Sequence, residues 1–211
     1  MVKAVIFDLD GVLAKTDSLH YLSWKRISEN HHLSFDKDLN NLLRGVSREE
    51  CLKIILDHNK TCLSEEDFDK VCDEENKNYS ALALNVTPND LFPNATEVLK
   101  EIKQKGIKLA IGTGSKHAQI VIDKLGIRKF FDVIVDGTMF HNPKPDPECF
   151  MLCARLLKVN PVDTLVIEDA DSGILAANDG GFNSVSIRQT SDNVIADHYI
   201  EKLDDVLLLI K

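Results

Sequence analysis

The sequence predicts an α/β protein whose core is a doubly wound parallel sheet and whose remaining residues form an inserted helical cap. From residue 93 onward, apolar runs alternate with helical patterns of about 10 to 15 residues, as in βαβ units. Between residues 16 and 85, by contrast, the pattern is helical and contains almost no β-branched runs. We therefore assign residues 1–15 and 86–211 to the core domain and residues 16–85 to the cap domain.

The first predicted strand covers residues 5–7 and runs directly into two acidic residues. Its sequence, Val-Ile-Phe, is a short apolar run of the kind that forms a buried parallel strand. Asp8 and Asp10 are two positions apart, so both project to one face while the strand geometry lasts. Two such carboxylates repel each other unless they are solvated, share a proton or bind a cation. Gly11 suits a tight turn at which the backbone approaches a ligand closely.

The predicted cap contains two sequence signals for the start of a helix. Ser47 with Glu50, and Ser64 with Asp67, have the spacing of a capping box. A unit of about 70 residues is large enough to bury a small core of its own.

The rest of the chain supplies the other strands and helices of the core. Strands are predicted at residues 107–111, 131–135, 165–167 and 184–187. Helices are predicted at residues 94–106, 116–125, 146–157, 172–179 and 203–210. Asp146 and Pro147 are typical of an N-cap and a first-turn proline, and Gly106 of a helix end.

Composition and charge limit the possible partners. The 211 residues include 25 Lys and Arg against 34 Asp and Glu, which gives a net charge of −9. This balance argues against a nucleic-acid or membrane-surface partner, because both favour basic patches. Five cysteines, an odd number without metal-ligand spacing, indicate reduced thiols. No signal peptide is predicted, so the cytoplasm is the expected location. The chain is also expected to be a monomer.

Polar side chains follow four of the predicted strands. In parallel sheets these carboxyl ends share one edge, where ligands bind. The residues are Asp8, Asp10, Thr113, Ser115, Lys116, Lys144, Glu168 and Asp169. Each has an ordinary explanation as a turn, cap or surface residue, but their convergence on one edge favours a shared site.

These residue types suit phosphoryl transfer through an aspartyl phosphate. A carboxylate that attacks a phosphate dianion needs its charge neutralised. The carboxylates of Asp8, Asp10 and Asp169, with Glu168 nearby, supply the oxygen ligands that Mg²⁺ prefers. Lys144 adds a second positive charge, and the Thr113 hydroxyl can donate to the transferring oxygens.

The same residues resemble the sequence motifs of the haloacid dehalogenase superfamily of phosphotransferases. The four matching motifs are FDLDG at 7–11, TGSK at 113–116, KPDPECF at 144–150 and IED at 167–169. The resemblance implies a Rossmann-like core with Asp8 as the nucleophile and Asp10 as the acid and base. It further implies that Thr113 and Lys144 hold the phosphate. The implied Mg²⁺ ligands are Asp8, the Asp10 carbonyl, Glu168 and Asp169.

The cap resembles the β-phosphoglucomutase subfamily in the sequence RGVSREE at 44–50. That resemblance implies that Arg48 grips the non-transferring phosphate of a bisphosphate intermediate, with help from Ser115, Lys116 and His117. It also implies that Gly45, Val46 and Ser47 line the sugar, and that Thr16 and His20 link cap closure to Asp10. Trp24 is expected either to contact the ligand or to pack in the cap core.

Three functions remain open from the sequence. The first is a hexose-phosphate mutase that interconverts β-glucose 1-phosphate and glucose 6-phosphate with Mg²⁺. The second is a sugar-phosphate phosphatase on the same scaffold. The third is a non-catalytic regulator that binds phosphate or Mg²⁺; the presence of both Asp8 and Asp10 argues against it. Glu75 departs from the subfamily pattern, which has a lysine near this position, and so bears on the choice of substrate.

Overall fold

The computed structural model describes residues 1–44, 46–188 and 194–210. Six strands form one sheet in which every neighbouring pair is parallel. They are β1 (Ala4–Phe7), β2 (Lys108–Gly112), β3 (Val133–Val135), β4 (Thr164–Glu168), β5 (Asn183–Ile187) and β6 (His198–Ile200). Their order across the sheet is β3-β2-β1-β4-β5-β6, which confirms the doubly wound α/β prediction.

The register of β1 brings several strand ends to the same level. Phe7 lies opposite Ile111 of β2 on one side and Ile167 of β4 on the other. The next residues along these three strands are Asp8, Gly112 and Glu168, which therefore leave the sheet at one edge.

Helices cover both faces of the sheet, and helices also form most of the chain between β1 and β2. The first four are α1 (Asp17–Asn30), α2 (Lys37–Asn41), α3 (Arg48–His58) and α4 (Glu65–Ala83). The others are α5 (Ala95–Gln104), α6 (Ala118–Leu125), α7 (Glu148–Leu157), α8 (Asp171–Asp179) and α9 (Val206–Leu209). In the part of the chain that the structure describes, no helix has the length and apolarity needed to cross a bilayer.

Alternation along β1 divides the core into two clusters. Val5 and Phe7 are fully buried in a cluster on one face, and Ala4 and Ile6 are fully buried in a cluster on the other. Successive strand residues point to opposite faces, so a strand covered on both sides is apolar at every position. The continuous apolar run of β1 reflects this burial.

Helices α1 to α4 enclose a separate hydrophobic cluster. Its buried members include Trp24, Leu52 and Ile55. Ser47 and Ser64 cap α3 and α4 by accepting a hydrogen bond from the N–H of Glu50 and Asp67, each at 3.2 Å, as the sequence predicted. We propose on this basis that residues 16–85 are a cap domain on a core of residues 1–15 and 86–211.

Several local predictions were wrong. Strand β3 and helix α7 each begin two residues later than predicted, at Val133 and Glu148. Strand β6 was not predicted, because two of its three residues are exposed and give no apolar run. The closing helix predicted at 203–210 begins as a 3₁₀ turn, so only Val206–Leu209 is α-helical. Helix α6 begins at Ala118 rather than at residue 116, because the Ser115 hydroxyl accepts a hydrogen bond from the N–H of His117 in the preceding turn.

Two isoleucines of α6 test how strongly the packing of this helix against the sheet stabilises the core. Ile122 is fully buried and Ile120 is 38% exposed. We expect Ile122→Ala to lower the free energy of unfolding by about 3 kcal/mol, because it removes buried methyl groups and leaves a cavity. Ile120→Ala should cost less than about 1 kcal/mol. Urea unfolding of both variants measures the difference, and equal losses would contradict the packing described here.

Candidate active site

The carboxyl edge of the sheet opens into a cavity of about 420 Å³. Its walls combine the edge of the core with α1, α3, α4 and the segment before α3. Of the predicted site residues, those that line it are Asp8, Asp10, His20, Trp24, Val46, Ser47, Arg48, Thr113, Ser115, Lys116, His117, Lys144, Glu168 and Asp169. Gly45 lies outside the described residues, and Thr16 is buried behind Asp10.

Lys144 lies between two buried carboxylates at the centre of this edge. Its Nζ donates to Asp8 Oδ1 at 2.6 Å, to Glu168 Oε1 at 2.5 Å and to the Gly112 carbonyl at 3.2 Å. Burial raises the pKa of Asp8 well above its usual range, and Lys144 only partly offsets this. Burial opposes the charge of Lys144, but Asp8 and Glu168 outweigh it and raise the lysine pKa. The ammonium is therefore held charged beside Asp8.

Asp10 is tied to the first cap helix. Its Oδ1 accepts a hydrogen bond from the Thr16 hydroxyl, and its Oδ2 lies 3.9 Å from His20 Nε2. Burial raises the pKa of Asp10, but the contacts with His20 and Thr16 outweigh burial and lower it below its usual value. The same pairing raises the pKa of His20 against the opposing effect of burial. Asp10 is therefore ionised, and the neighbouring His20 binds a proton more readily than an ordinary histidine does.

Glu168 is held by the backbone of the turn after β4. Its Oε2 accepts hydrogen bonds from the N–H groups of Asp169 and Ala170, at 2.9 and 3.1 Å. Asp169 forms an ion pair with Arg44 from the cap. Burial, and secondarily the charge of Glu168, raise the pKa of Asp169 to about 7.

The donor set at this edge suits Mg²⁺ by its chemistry. The cavity wall contains seven carboxyl side chains but only four of lysine or arginine, so it has an excess of hard oxygen donors. Among the described residues, no three acidic, histidine or cysteine side chains converge on one point as they stand. The reason is that Lys144 separates Asp8 from Glu168, and Arg44 engages Asp169. Asp8, Glu168 and Asp169 would hold the ion with the Asp10 carbonyl, because Glu168 Oε1 accepts only from Lys144 and keeps a further lone pair.

The loop after β2 provides hydroxyl and N–H groups. The Thr113 hydroxyl accepts a hydrogen bond from the N–H of Ser115 at 3.2 Å, and it keeps its own proton to donate. Gly137 packs against this loop so closely that a Cβ there would lie 2.1 Å from the Gly114 carbonyl oxygen. The loop is thus held in place by backbone contact as well as by hydrogen bonds.

Two cations of the cavity wall, Arg48 from the cap and Lys116 from the core, are already paired. Arg48 forms an ion pair with the buried Glu75, and Lys116 Nζ lies 3.6 Å from Glu49 Oε1. His117 Nε2 lies 2.7 Å from Asn76 Oδ1 on α4. Trp24 is buried in the cap cluster, as one of its two expectations held, and because it also lines the cavity its contact with the ligand stays a prediction.

Arg44, Glu75 and Tyr79 are among the cavity residues that the sequence did not assign to the site. Arg44 belongs to the RGVSREE segment, and its place at the start of that segment was the available signal. Glu75 was noted only as a departure from a pattern. Tyr79 lies four residues after Glu75, so it shares the same face of α4, and it stacks on His20 with ring centroids 4.2 Å apart.

Gly173 on α8 leaves room for Glu168. A Cβ at this position would lie 2.0 Å from Glu168 Cδ. We expect Gly173→Ala to lower the free energy of unfolding by about 2 kcal/mol, because Glu168 must leave its buried hydrogen bonds.

Gly106→Ala is the control, since its φ of +74° strains any side chain but nothing lies within 4 Å of the added Cβ. Its cost should be about 1 kcal/mol, from backbone strain alone. Urea unfolding compares the two variants. A Gly173→Ala protein as stable as the unsubstituted chain would mean that Glu168 is not confined as described.

Three comparisons with known proteins agree with this geometry. Residues 2–181 match the family model of haloacid dehalogenase-like hydrolases. The chain is 36% identical to β-phosphoglucomutase of Bacillus subtilis over 98% of this chain and 92% of the relative. It is 34% identical to a phosphorylated carbohydrates phosphatase of Thermotoga maritima, over 87% of this chain and 84% of the relative.

A solved structure also superposes closely. The crystal structure of β-phosphoglucomutase from Clostridium difficile has a TM-score of 0.90 and 35% identity, and the match covers 98% of this chain and 93% of that one. Members of the matched family are generally Mg²⁺-dependent and act through an aspartyl phosphate. The chain therefore belongs to the haloacid dehalogenase-like hydrolase family, as an enzyme of the phosphotransferase or phosphatase type.

Proposed function

We propose that this enzyme transfers the phosphoryl group of a sugar phosphate through an aspartyl phosphate on Asp8, in the manner of a β-phosphoglucomutase. The observation that carries the proposal is the buried Asp8 carboxylate, 2.6 Å from Lys144 and in the same cavity as the cap residues. The ammonium reduces the repulsion between this carboxylate and an incoming phosphate dianion. When bound, Mg²⁺ supplies further positive charge at the transferring oxygens.

Asp10 moves the proton in this proposal. Its lowered pKa leaves it ionised, which is the form that accepts a proton from the sugar hydroxyl attacking the phosphorylated Asp8. In the reverse step, Asp8 forms a bond to phosphorus while the bond from phosphorus to the sugar oxygen breaks. Asp10 then returns its proton to that oxygen. One residue thus serves both directions, as an isomerisation between two phosphate esters requires.

The cap residues orient the sugar. Val46, Ser47 and Trp24 of the cap line the same cavity as the nucleophile. Thr16 and His20 hold Asp10 from α1, so the position of the cap and the position of the acid–base group are linked. Ser115, Lys116 and His117, which lie in the segment between β2 and α6, also line the cavity.

A sugar-phosphate phosphatase is the second candidate, and the ion pair between Arg48 and Glu75 favours it. A mutase must hold a phosphate at each end of its bisphosphate intermediate, whereas a phosphatase needs only one phosphate site. Because Glu75 already balances the guanidinium of Arg48, the part of the cavity around Arg48 is less favourable for a second phosphate. The phosphatase among the relatives shows that this scaffold also supports hydrolysis.

A paired assay separates the two candidates. The enzyme is given Mg²⁺ and β-glucose 1-phosphate, primed with a trace of glucose 1,6-bisphosphate, and glucose 6-phosphate and inorganic phosphate are followed together. We expect glucose 6-phosphate to form faster than inorganic phosphate. Inorganic phosphate without glucose 6-phosphate would reject the mutase and support the phosphatase.

Asp8→Asn tests the nucleophile. The amide cannot form the acyl phosphate, so turnover in the same assay should fall by about three orders of magnitude or more. Asp163→Asn is the control, since Asp163 pairs with Lys3 at the opposite edge of the sheet; it should keep full turnover. Substantial residual activity of Asp8→Asn, with a normal circular dichroism spectrum, would rule out Asp8 as the nucleophile.

A further inference from the structure

Glu75 balances the charge of Arg48 inside the cavity before any ligand is bound. The Glu75 residue is 1% exposed, and its Oε2 accepts a hydrogen bond from Arg48 Nε. The second cation, Lys116 of the core, has its Nζ 3.6 Å from Glu49 Oε1. The distal half of the cavity, which we define as the part lined by these four side chains, therefore contains two cations and two carboxylates.

The other oxygen of Glu75 lacks a hydrogen bond. Oε1 is buried and has no donor among the described residues. A buried carboxylate oxygen without a donor is unfavourable, because its lost hydration is not replaced. Glu75 lines the cavity, so a turn of its side chain toward the cavity would expose Oε1 to a donor from a bound ligand.

This arrangement distinguishes a hydroxyl from a phosphate. A sugar hydroxyl can donate to Oε1 without disturbing the ion pair between Arg48 and Glu75. A phosphate dianion can reach Arg48 only beside the Glu75 carboxylate, which repels it, or by displacing that carboxylate and leaving it buried without its cation.

We propose that Glu75 determines specificity at the distal end of the cavity: it binds a hydroxyl group of a monophosphorylated sugar and weakens the binding of a second phosphate. This inference rests on the proposed function, and it identifies the residue that sets how much bisphosphate the enzyme needs. A bisphosphate still binds, but at a higher concentration than it would without the carboxylate.

The test is calorimetric titration of the full chain with Mg²⁺, in an Asp8→Asn background so that no ligand is turned over. The ligands are glucose 6-phosphate and glucose 1,6-bisphosphate. Adding Glu75→Gln removes the charge and keeps an acceptor oxygen. We expect it to raise the affinity for the bisphosphate by about tenfold and to change that for the monophosphate by less than about threefold.

Adding Glu75→Leu removes the acceptor as well. We expect the affinity for glucose 6-phosphate to fall by about tenfold, because the sugar hydroxyl loses its partner. Glu74→Gln is the matched control, since Glu74 is the preceding residue of α4, carries the same charge and pairs with His31 and Asn30 outside the cavity. It should change neither affinity by more than about twofold.

The ratio of the two affinities decides the inference. If Glu75→Gln leaves this ratio unchanged, or shifts it no more than Glu74→Gln does, the specificity role is wrong while the proposed function stands. If neither sugar phosphate binds any of the folded proteins, both the proposed function and this inference are wrong. A thermal melt of each variant verifies that it is folded.

Discussion

The carboxyl edge of the sheet depends on Lys144, whose positive charge compensates the buried carboxylates of Asp8 and Glu168. Asp8 and Glu168 are both almost fully buried, and the Lys144 ammonium is within 2.6 Å of each. Removing one partner of such a buried pair costs about 3 to 5 kcal/mol, because it leaves an uncompensated charge. Burial also keeps water away from Asp8 and strengthens every electrostatic contact with a bound phosphate. The Lys144 ammonium that stabilises this edge is thus also fixed where it can attract a bound phosphate.

The parallel sheet makes this compensation possible. Because β1 is paired in register with both β2 and β4, Asp8 and Glu168 emerge side by side although 160 residues separate them in sequence. Lys144 reaches them from the segment before α7, and its ammonium lies 4.6 Å from the centre of the Phe150 ring. Long-range strand pairing, rather than local sequence, therefore determines which charges meet.

The sequence predicted the sheet, the cap helices and the catalytic edge because each has a local signal. Strands such as Ala4–Phe7 are continuous apolar runs, and acidic, hydroxyl or basic residues follow their ends. Strand β6 has no such run, and the pairing of Arg48 with Glu75 or of Arg44 with Asp169 joins residues that are 27 and 125 positions apart. Ion pairs of this kind depend on how helices pack, so a pattern along the chain does not reveal them.

In the proposed function, the acid–base residue Asp10 and the cap are linked by direct contacts. Asp10 comes from the core, but Thr16 and His20, at and after the start of α1, hold its two oxygens. His20 in turn stacks on Tyr79 of α4, whose ring also lies in the core cluster under the sheet. A movement of the cap away from the core must therefore disturb the contacts that keep Asp10 ionised. In the proposed function, an open cavity that admits water would also have a poorly placed base, so this coupling would favour transfer to a bound sugar over hydrolysis.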